Sequence, residues 1–418
     1  MKIISVGGVA GGASAAARSR RLNENAEIII LEKGPYVSYS NCGLPYHISG
    51  QIAAADDLLL VSPEYFKSHY NIEARVQNEV IGVDTAKQEL KVKNHADGST
   101  YTESYDKLVL SPGTLAAMPP FAGKDKINIF TLKTVPDLKK LMQFIESKKP
   151  QHFTVVGGGL IGLESAENMR LRGLNVTVVE GAKHIIPFVD REMSFFAQKE
   201  LMDNGVEVIV DDLVESFDTN LVKLKSGRTI KTDGVVMSVG AVPCTGFLKD
   251  SGIKLDAKGY IEVNENFQTN AKNVYAIGDA IQVSHQISGE KLPLAMAGPA
   301  NKQGRFAADH ISGKKVVNKG YIGSGVVKLF KLNMAHTGLR EEEVKRLGKK
   351  YGVVYAAPPG IVGLMPGACL LFSKLIFEQG SGRVLGAQFC SKGQSDKRAD
   401  IIATAIKANM TVYDLLDL

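Results

Sequence analysis

Residues 2–12 have the sequence Lys-Ile-Ile-Ser-Val-Gly-Gly-Val-Ala-Gly-Gly, an apolar run that passes directly into a cluster of glycines. An Ala-rich stretch follows, then a second apolar run over residues 28–31 and the acidic residue Glu32. The same order occurs again in residues 153–162, Phe-Thr-Val-Val-Gly-Gly-Gly-Leu-Ile-Gly, and in residues 176–180, Val-Thr-Val-Val-Glu. Each copy predicts a strand, a tight turn, a helix, a second strand and a terminal acid, which is a βαβ unit. The two units together predict an α/β fold.

The glycines have the spacing of loops that bind the pyrophosphate of a dinucleotide. In such loops the first glycine forms the turn, the second lets the backbone approach the phosphates, and the third lets helix and strand pack closely. Gly157, Gly159 and Gly162 fill all three positions, whereas Gly7 and Gly12 fill two and the middle position holds a valine. One such loop could be a generic tight turn. Two complete units favour two dinucleotide-binding domains.

An acid follows the second strand of each unit. Glu32 and Glu180 stand where a carboxylate can accept hydrogen bonds from ribose hydroxyls, although a solvated acid at a strand end is the alternative. Glu180 would also repel the 2′-phosphate of NADPH, so the sequence favours NADH, and the nearby Lys183 weakens that preference.

The composition limits the class of protein. The 418 residues are too many for one compact core, and two or three domains are expected. Hydrophobic residues make up 44% of the chain, but no apolar run approaches the roughly 18 residues of a membrane span, and the early glycines argue against a signal peptide. A net charge of +6 without runs of like charge gives no argument for nucleic acid. Four widely spaced cysteines suggest neither disulfides nor a metal site and fit a reducing cytoplasm.

The remaining pattern predicts further elements. Helices are expected at about 163–172 and 135–149, and strands at 206–210, 222–225, 234–239 and 273–280. After about residue 319, strands at 326–330, 353–355, 373–377 and 384–389, a hairpin turn at 379–382, and helices at about 397–409 and from Thr411 predict a third, α+β domain.

These features together resemble the FAD-dependent pyridine nucleotide–disulfide oxidoreductases. Residues 108–114, Leu-Val-Leu-Ser-Pro-Gly-Thr, and residues 233–240 resemble that family's two crossovers between domains, and residues 277–279, Ile-Gly-Asp, resemble its motif for the flavin ribityl chain. The resemblance implies an FAD-binding domain of residues 1–113 and 241–318, an NAD(P)H-binding domain of residues 114–240, and a dimerisation domain of residues 319–418. It also implies a homodimer.

The resemblance assigns residues to the cofactors. The implied cofactor contacts are Gly7, Gly8, Gly12, Glu32, Lys33, Asn41, Ser111, Gly113, Gly157, Gly159, Gly162, Glu164, Glu180, Gly240, Gly278, Asp279 and Ala297.

The segment Ser38-x-x-Asn41-Cys42-Gly43-x-Pro45 resembles one branch of the family, the coenzyme A disulfide reductases and the related CoA-persulfide and polysulfide reductases. Residues 297–304 and 396–398 resemble the same branch. This implies CoA as substrate or bound thiol, with contacts from Ser14, Arg18, Arg21, Ser38 and Asn41. Three of these, at positions 14, 18 and 21, share one face of the first predicted helix, and a solvated helix face is nearly as good an interpretation.

Cys42 is the predicted catalytic residue. A family disulfide would need its second sulfur five residues later, where His47 stands, so the thiol has no internal partner. We expect the start of the following helix to lower the pKa of the thiol. Cys244, Cys369 and Cys390 are expected to be inert, and His47 is left without an assigned role.

A lone thiol beside a flavin has two routes. It can form a mixed disulfide with a small external thiol, or it can cycle through a sulfenic acid, as in NADH oxidases and NADH peroxidases. The oxidase and peroxidase relatives carry a histidine where this chain has Ala10, and Asn41 before the cysteine resembles the CoA enzymes. Both observations favour the mixed disulfide.

Two departures from the CoA branch concern its tyrosines. The branch has a tyrosine pair where this sequence has Leu364 and Met365, ahead of Pro366. The branch also continues into a Tyr-Ala-Pro-Pro-Phe-type tail, whereas residues 415–418 are Leu-Leu-Asp-Leu, and whether the chain continues past Leu418 is left open. Both departures raise the expectation of a persulfide or polysulfide substrate.

Overall fold

The structure is a computed structural model and describes residues 1–417, so Leu418, the last residue of the predicted dimerisation domain, lies outside the described residues. The helices are α1 (Ala10–Leu22), α2 (Leu44–Ile48), α3 (Pro63–Tyr70), α4 (Val135–Lys148), α5 (Leu160–Leu171), α6 (Arg191–Asp203), α7 (Ala297–Ile311), α8 (Glu341–Arg346) and α9 (Asp396–Lys407).

The strands are β1 (Lys2–Val6), β2 (Glu27–Leu31), β3 (Glu73–Arg75), β4 (Asn78–Asp84), β5 (Glu89–Asn94), β6 (Thr100–Ser104), β7 (Lys107–Leu110), β8 (Thr114–Ala116), β9 (Ile129–Phe130), β10 (His152–Val156), β11 (Asn175–Val179), β12 (Val206–Ile209), β13 (Val214–Asp218), β14 (Leu221–Leu224), β15 (Thr229–Lys231), β16 (Gly234–Met237), β17 (Ala241–Pro243), β18 (Val274–Ala276), β19 (Gln282–Ser284), β20 (Lys291–Pro293), β21 (Ser324–Leu329), β22 (Leu332–Gly338), β23 (Tyr351–Ala356), β24 (Phe372–Glu378) and β25 (Val384–Ser391).

The first sheet is parallel and has the order β18-β7-β1-β2-β3. Val6 at the end of β1 pairs with Leu31 on one side and Leu110 on the other. The carboxyl ends of these strands therefore meet at one edge, which is where parallel α/β sheets bind their ligands.

The second sheet repeats this design with the order β12-β11-β10-β16-β9, again all parallel. Val156 pairs with Val179 and Met237, so the second glycine loop and Glu180 share an edge in the same way. The strands are rich in buried valine because helices and loops cover both faces of such a sheet.

The third sheet is antiparallel, with the order β21-β22-β25-β24-β23, and α9 packs on it. The chain is therefore α/β with an α+β C-terminal part, as predicted. One hydrophobic core cluster runs from Leu44 and Ile48 of α2 through the second sheet to Val327 and Leu329 of the third. The helix that follows Cys42 therefore shares a core with both the second and the third sheet.

Several predicted boundaries need correction. The helix expected from residue 163 begins at Leu160, directly after Gly159, because the chain enters α5 as soon as the turn is complete. The helix expected from Thr411 is only a 3₁₀ turn over Asp414–Asp417. Helix α6 and strand β22 were missed, since both lack a strong local signal and are held by packing on neighbouring sheets.

Candidate active site

Both glycine loops have a backbone that requires glycine. Gly7 and Gly157 have φ angles of +95° and +110°, in the region that side chains disfavour. A Cβ atom on Gly12 would lie 1.9 Å from the carbonyl oxygen of Gly7, and one on Gly162 would lie 2.1 Å from that of Gly157. The two copies therefore fold into the same turn.

Each predicted ribose acid supports its own loop. Glu32 Oε2 accepts a hydrogen bond from Gly8 N at 2.8 Å, and Glu180 Oε2 accepts one from Gly158 N at 2.6 Å. The second oxygen of each carboxylate accepts from a backbone N–H two residues further on. Because a carboxylate has about four acceptor sites, each acid retains capacity for ribose hydroxyls.

The space above the second loop fits a pyrophosphate. A Cβ atom on Gly159 would meet no atom of the described chain within 4 Å, and no side chain within residues 1–417 caps the start of α5. The first-turn N–H groups are therefore free to bind phosphate oxygens. At the start of α1 the corresponding position is Val9, whose side chain makes no cap either.

Most of the remaining predicted cofactor residues follow strands of the same two sheets. Gly278 and Asp279 form a 3₁₀ turn over Gly278–Ala280, and Gly278 N donates to Oε1 of the buried Gln303 on α7 at 2.6 Å. Ala297 begins that helix. Ser111 directly follows β7, Gly113 and Gly240 have positive φ angles, and Lys33 Nζ lies 3.3 Å from Cys244 Sγ.

Asp279 has a cationic neighbour that the sequence analysis missed. Lys133 Nζ lies 3.8 Å from Asp279 Oδ2, and the Lys133 carbonyl accepts from Asn41 Nδ2 at 2.9 Å. Burial raises the pKa of Asp279, and Lys133 opposes that effect. Lys133 joins the Cys42 segment to the Gly-Asp turn across a long sequence separation, so no local pattern could have identified it.

Cys42 lies in the 3₁₀ turn Asn41–Gly43, and Pro45 is in the first turn of α2 as predicted. All four cysteines are free, and Cys42 is the exposed one. The predicted lowering of its pKa is wrong. Although the side chain reaches solvent, the protein around it and the Glu164 carboxylate raise the pKa of the thiol. The turn and the short α2 supply too little dipole to reverse these effects.

The environment of Cys42 contains His47 and Tyr46, to which the sequence analysis assigns no role, and Glu164, a predicted cofactor contact. His47 Nδ1 lies 2.9 Å from the Ile52 carbonyl oxygen, which fixes the ring to the backbone. Burial and Glu164 raise the pKa of Tyr46. Burial and the neighbouring Glu167 raise the pKa of Glu164 to about 7, and the Tyr46 hydroxyl partly opposes this.

Ser38 holds the Cys42 segment against the first glycine loop. Its backbone N donates to Gly8 O at 2.8 Å, and its carbonyl accepts from Leu60 N at 2.8 Å. Its φ angle is +48°, an uncommon conformation for a residue with a side chain. The predicted substrate contact therefore also has a backbone role.

The three predicted CoA contacts on α1 have partners within the chain. Ser14 Oγ donates to Asn301 Oδ1 at 3.0 Å, and Arg18 Nη2 lies 2.7 Å from Asp309 Oδ1. The Arg21 guanidinium lies 5.7 Å from the centre of the Tyr70 ring. The structure thus places all three on α1 beside α7 or α3, and CoA binding by them stays a prediction.

Most of the chain matches one protein family. Residues 1–301 match the family described as pyridine nucleotide-disulphide oxidoreductase, and residues 325–417 match the dimerisation domain of that family. Coenzyme A disulfide reductase from Staphylococcus epidermidis is 33% identical over 422 residues, covering 100% of this chain and 94% of that protein.

Two solved structures are similar over the whole chain. Reduced Bacillus anthracis CoADR-RHD has a TM-score of 0.98 and 43% identity, with 100% of this chain and 76% of that chain covered. The NAD-dependent persulfide reductase from A. fulgidus has a TM-score of 0.95 and 32% identity, with 100% and 79% covered. Within residues 1–417, every helix is too short or too polar to cross a membrane.

Proposed function

Because this chain belongs to the pyridine nucleotide-disulphide oxidoreductase family, we propose that it is the enzyme that uses NAD(P)H to reduce a CoA disulfide or persulfide through Cys42. The observation that carries the proposal is the single exposed thiol of Cys42, without a second cysteine beside it among the described residues. The similar CoA disulfide reductase and persulfide reductase support the substrate class.

The family implies FAD and NAD(P)H as cofactors. When bound, the nicotinamide and flavin supply hydride transfer, and the protein supplies binding and orientation. We propose that residues 1–113 and 241–318 bind FAD, with Asp279 on its ribityl chain. Residues 114–240 would bind the nicotinamide coenzyme through the loop 157–162. The helix starts that lack a side-chain cap at both loops and the open space beside Gly159 support these assignments.

The coenzyme would be NADH rather than NADPH. Glu180 already holds its loop, and its negative charge would face a 2′-phosphate at the same edge of the sheet. The dimerisation domain, residues 319–418, would join two copies. Four free cysteines support a reducing cytoplasm as the working compartment.

The chemistry of Cys42 follows from the lack of a second cysteine beside it among the described residues. Its thiolate attacks the substrate disulfide, one sulfur–sulfur bond forms as another breaks, and the leaving thiolate takes a proton. The mixed disulfide on Cys42 is then reduced by two electrons that NAD(P)H provides. Ser38 and Asn41 fix the loop that presents the thiol, through the backbone of the first glycine loop and the Lys133 carbonyl.

The proposal is tested with a variant that lacks the Cys42 thiol. Cys42→Ser should retain FAD and abolish NADH-dependent reduction of CoA disulfide, whereas the control Cys369→Ser should retain both. Retained turnover in Cys42→Ser would refute the proposal.

The main alternative is an NADH oxidase or peroxidase that cycles Cys42 through a sulfenic acid. Intact mass before and after reduction separates the two. A releasable CoA-sized adduct on Cys42 supports the proposal, and an oxygen-sized adduct with strictly oxygen- or peroxide-dependent NADH consumption supports the alternative.

A further inference from the structure

A strained residue is bonded directly to the second glycine loop. Ile186 has a φ angle of +55°, and among residues 1–417 it is the β-branched residue with a positive φ angle. Such a conformation is unfavourable for a β-branched side chain and persists only where the surrounding structure imposes it. Ile186 N donates to Gly158 O at 2.8 Å, and the Ile186 carbonyl accepts from Val189 N at 3.2 Å, which closes a turn over residues 186–189.

The preceding residue packs against the same loop. Ile185 is buried, and a Cβ atom on Gly158 would lie 2.8 Å from Ile185 Cγ2. The Ile185 carbonyl accepts from Ser194 Oγ of α6 at 2.6 Å. The turn is therefore wedged between the glycine loop and α6, and a shift of the turn would move Gly158 with it.

Asp190 follows the turn and binds the C-terminal part of the chain. It is the N-cap residue of α6, where an aspartate usually accepts from its own helix, but its side chain makes no cap within the described chain. Its carboxylate instead accepts from Gln388 Nε2 at 2.6 Å, and Asp190 N donates to Gln388 Oε1 at 2.8 Å. Both side chains are buried. One amide group of β25 thus fixes the backbone and the side chain of Asp190 together.

Gln388 belongs to a row of side chains that crosses the third sheet. It pairs with His336 of β22 and with Lys374 of β24, and directly opposite residues share one face of a sheet. Lys374 Nζ lies 2.7 Å from Asp190 Oδ2, and the His336 ring lies 4.5 Å from the Phe188 ring between centres. Three strands of the C-terminal part therefore contact the end of the turn.

A glycine loop has few side chains of its own to fix it, so its conformation depends on its neighbours. A loop that is already ordered loses less conformational entropy when a ligand binds. We propose that Gln388 is a positioning residue for the coenzyme: through Asp190 it fixes the strained Ile186 turn, and the turn fixes the loop 157–162 in the conformation that binds NADH. This inference rests on the proposed function, in which that loop binds the coenzyme. It gives the C-terminal part a role in coenzyme affinity besides the proposed dimerisation.

The main test is NADH binding by the FAD-loaded enzyme. Anaerobic stopped-flow measurement of flavin reduction against NADH concentration gives the Kd and the limiting rate separately. Gln388→Met keeps the approximate length of the side chain and removes both bonds to Asp190. It should raise Kd about 5–10-fold, the equivalent of roughly one lost hydrogen bond, and leave the limiting rate unchanged. Asn333→Ala is the matched control, because Asn333 lies in the same sheet but bonds to the Gly393 carbonyl, and its Kd should equal that of the wild type.

Two further measurements protect the test against a variant that fails to fold. Phe188→Leu weakens the same link at a half-buried position, so it should retain FAD and raise Kd about 2–3-fold. Hydrogen exchange at Ile186 N, measured without coenzyme, should be faster in Gln388→Met and Phe188→Leu than in the wild type and unchanged in Asn333→Ala. Titration calorimetry with NAD⁺ measures the affinity of each variant without flavin reduction.

A raised Kd with the wild-type limiting rate, in Gln388→Met and Phe188→Leu but not in Asn333→Ala, supports the inference. A Kd equal to that of the wild type in both variants, or an equal rise in Asn333→Ala, would overturn it. If Gln388→Met does not fold, Phe188→Leu decides in the same way. A wild type that neither binds nor oxidises NADH would overturn the proposed function as well, whereas normal binding by the wild type and by both variants would overturn this inference alone.

Discussion

The sharpest stability prediction concerns Lys374, which is 0% exposed and joins two parts of the chain. Its Nζ lies 2.7 Å from Asp190 Oδ2 and from Glu341 Oε2, and it also contacts Glu192. Asp190 and Glu192 flank the start of α6, whereas Lys374 and Glu341 belong to the C-terminal part. Burial alone would lower the pKa of Lys374, but the hydrogen bonds to these carboxylates raise it well above its ordinary value.

Replacing Lys374 with Met keeps the length of the side chain and removes its charge. The three carboxylate atoms lie within 4.8 Å of one another, so each ionised pair repels by about 3.5 kcal/mol at an effective dielectric constant of about 20. Glu192 and Glu341 keep exposures of 45% and 20%, so water and protonation relieve much of this repulsion. The expected net loss is the ~3–5 kcal/mol typical of a broken buried ion pair.

The assay is thermal unfolding followed by far-ultraviolet circular dichroism, because the chain has 0 tryptophans to report by fluorescence. If the whole chain unfolds as one unit, the loss corresponds to a Tm decrease of about 3–6 °C. Lys397→Met is the matched control, since Lys397 makes exposed ion pairs with Asp396 and Asp400 and should change stability by less than about 0.5 kcal/mol.

The effect also has a pH signature. Burial would raise the pKa of Glu341, but hydrogen bonds from Lys345, Lys374 and Tyr351 lower it to about 2. A lowered carboxyl pKa contributes stability above its unfolded value and loses it as pH falls towards the folded value. The difference between wild type and Lys374→Met should therefore shrink between about pH 5 and pH 2. A Tm change no larger than that of Lys397→Met would refute the reasoning.

The other predictions concern binding and the loops. Glu180→Gln should raise kcat/KM for NADPH relative to NADH while keeping an acceptor for Gly158 N. Glu180→Ala should have the same effect on coenzyme preference and should also lower stability by about 1–2 kcal/mol in denaturant titrations. An unchanged ratio of the kcat/KM values for the two coenzymes would contradict the prediction. Arg18→Ala should raise KM for CoA disulfide about 10-fold, equivalent to about 1.4 kcal/mol, and leave turnover of a small aromatic disulfide unchanged; equal KM values would restrict Arg18 to its pair with Asp309. Ser38→Gly should leave the free energy of unfolding unchanged or raise it, because the φ angle of Ser38 is +48°. Ser68→Gly inside α3 should lower the free energy of unfolding by ~0.5–1 kcal/mol. The opposite order of the two variants would contradict the argument that Ser38 has a strained backbone.

The sequence was sufficient for features that local chemistry determines. The glycines at positions 7, 12, 157 and 162 and the strands beside them lie as predicted, because a tight turn into a helix leaves few alternatives. The lone thiol of Cys42 and the first turn of α2 at Pro45 also follow from adjacent residues.

Features that depend on distant residues could not be predicted. The sequence suggested a lowered pKa for Cys42 from the helix start alone, whereas burial by the surrounding protein and the Glu164 carboxylate on α5 raise it. Lys133 meets Asp279, and Lys374 meets Asp190, only after separate sheets pack together. No periodicity or spacing of residues along the chain could have predicted these contacts.

The paired bonds Glu32–Gly8 and Glu180–Gly158 have a consequence for the history of the protein. Two halves with different sequences use the same carboxylate, in the same register, to hold the same turn. That repetition is what duplication of one ancestral unit would leave behind. It also means that a lineage changing its coenzyme at position 180 must keep a side-chain acceptor there, as glutamine would, or supply another acceptor for the loop, so evolutionary change in specificity is limited by the stability of the turn.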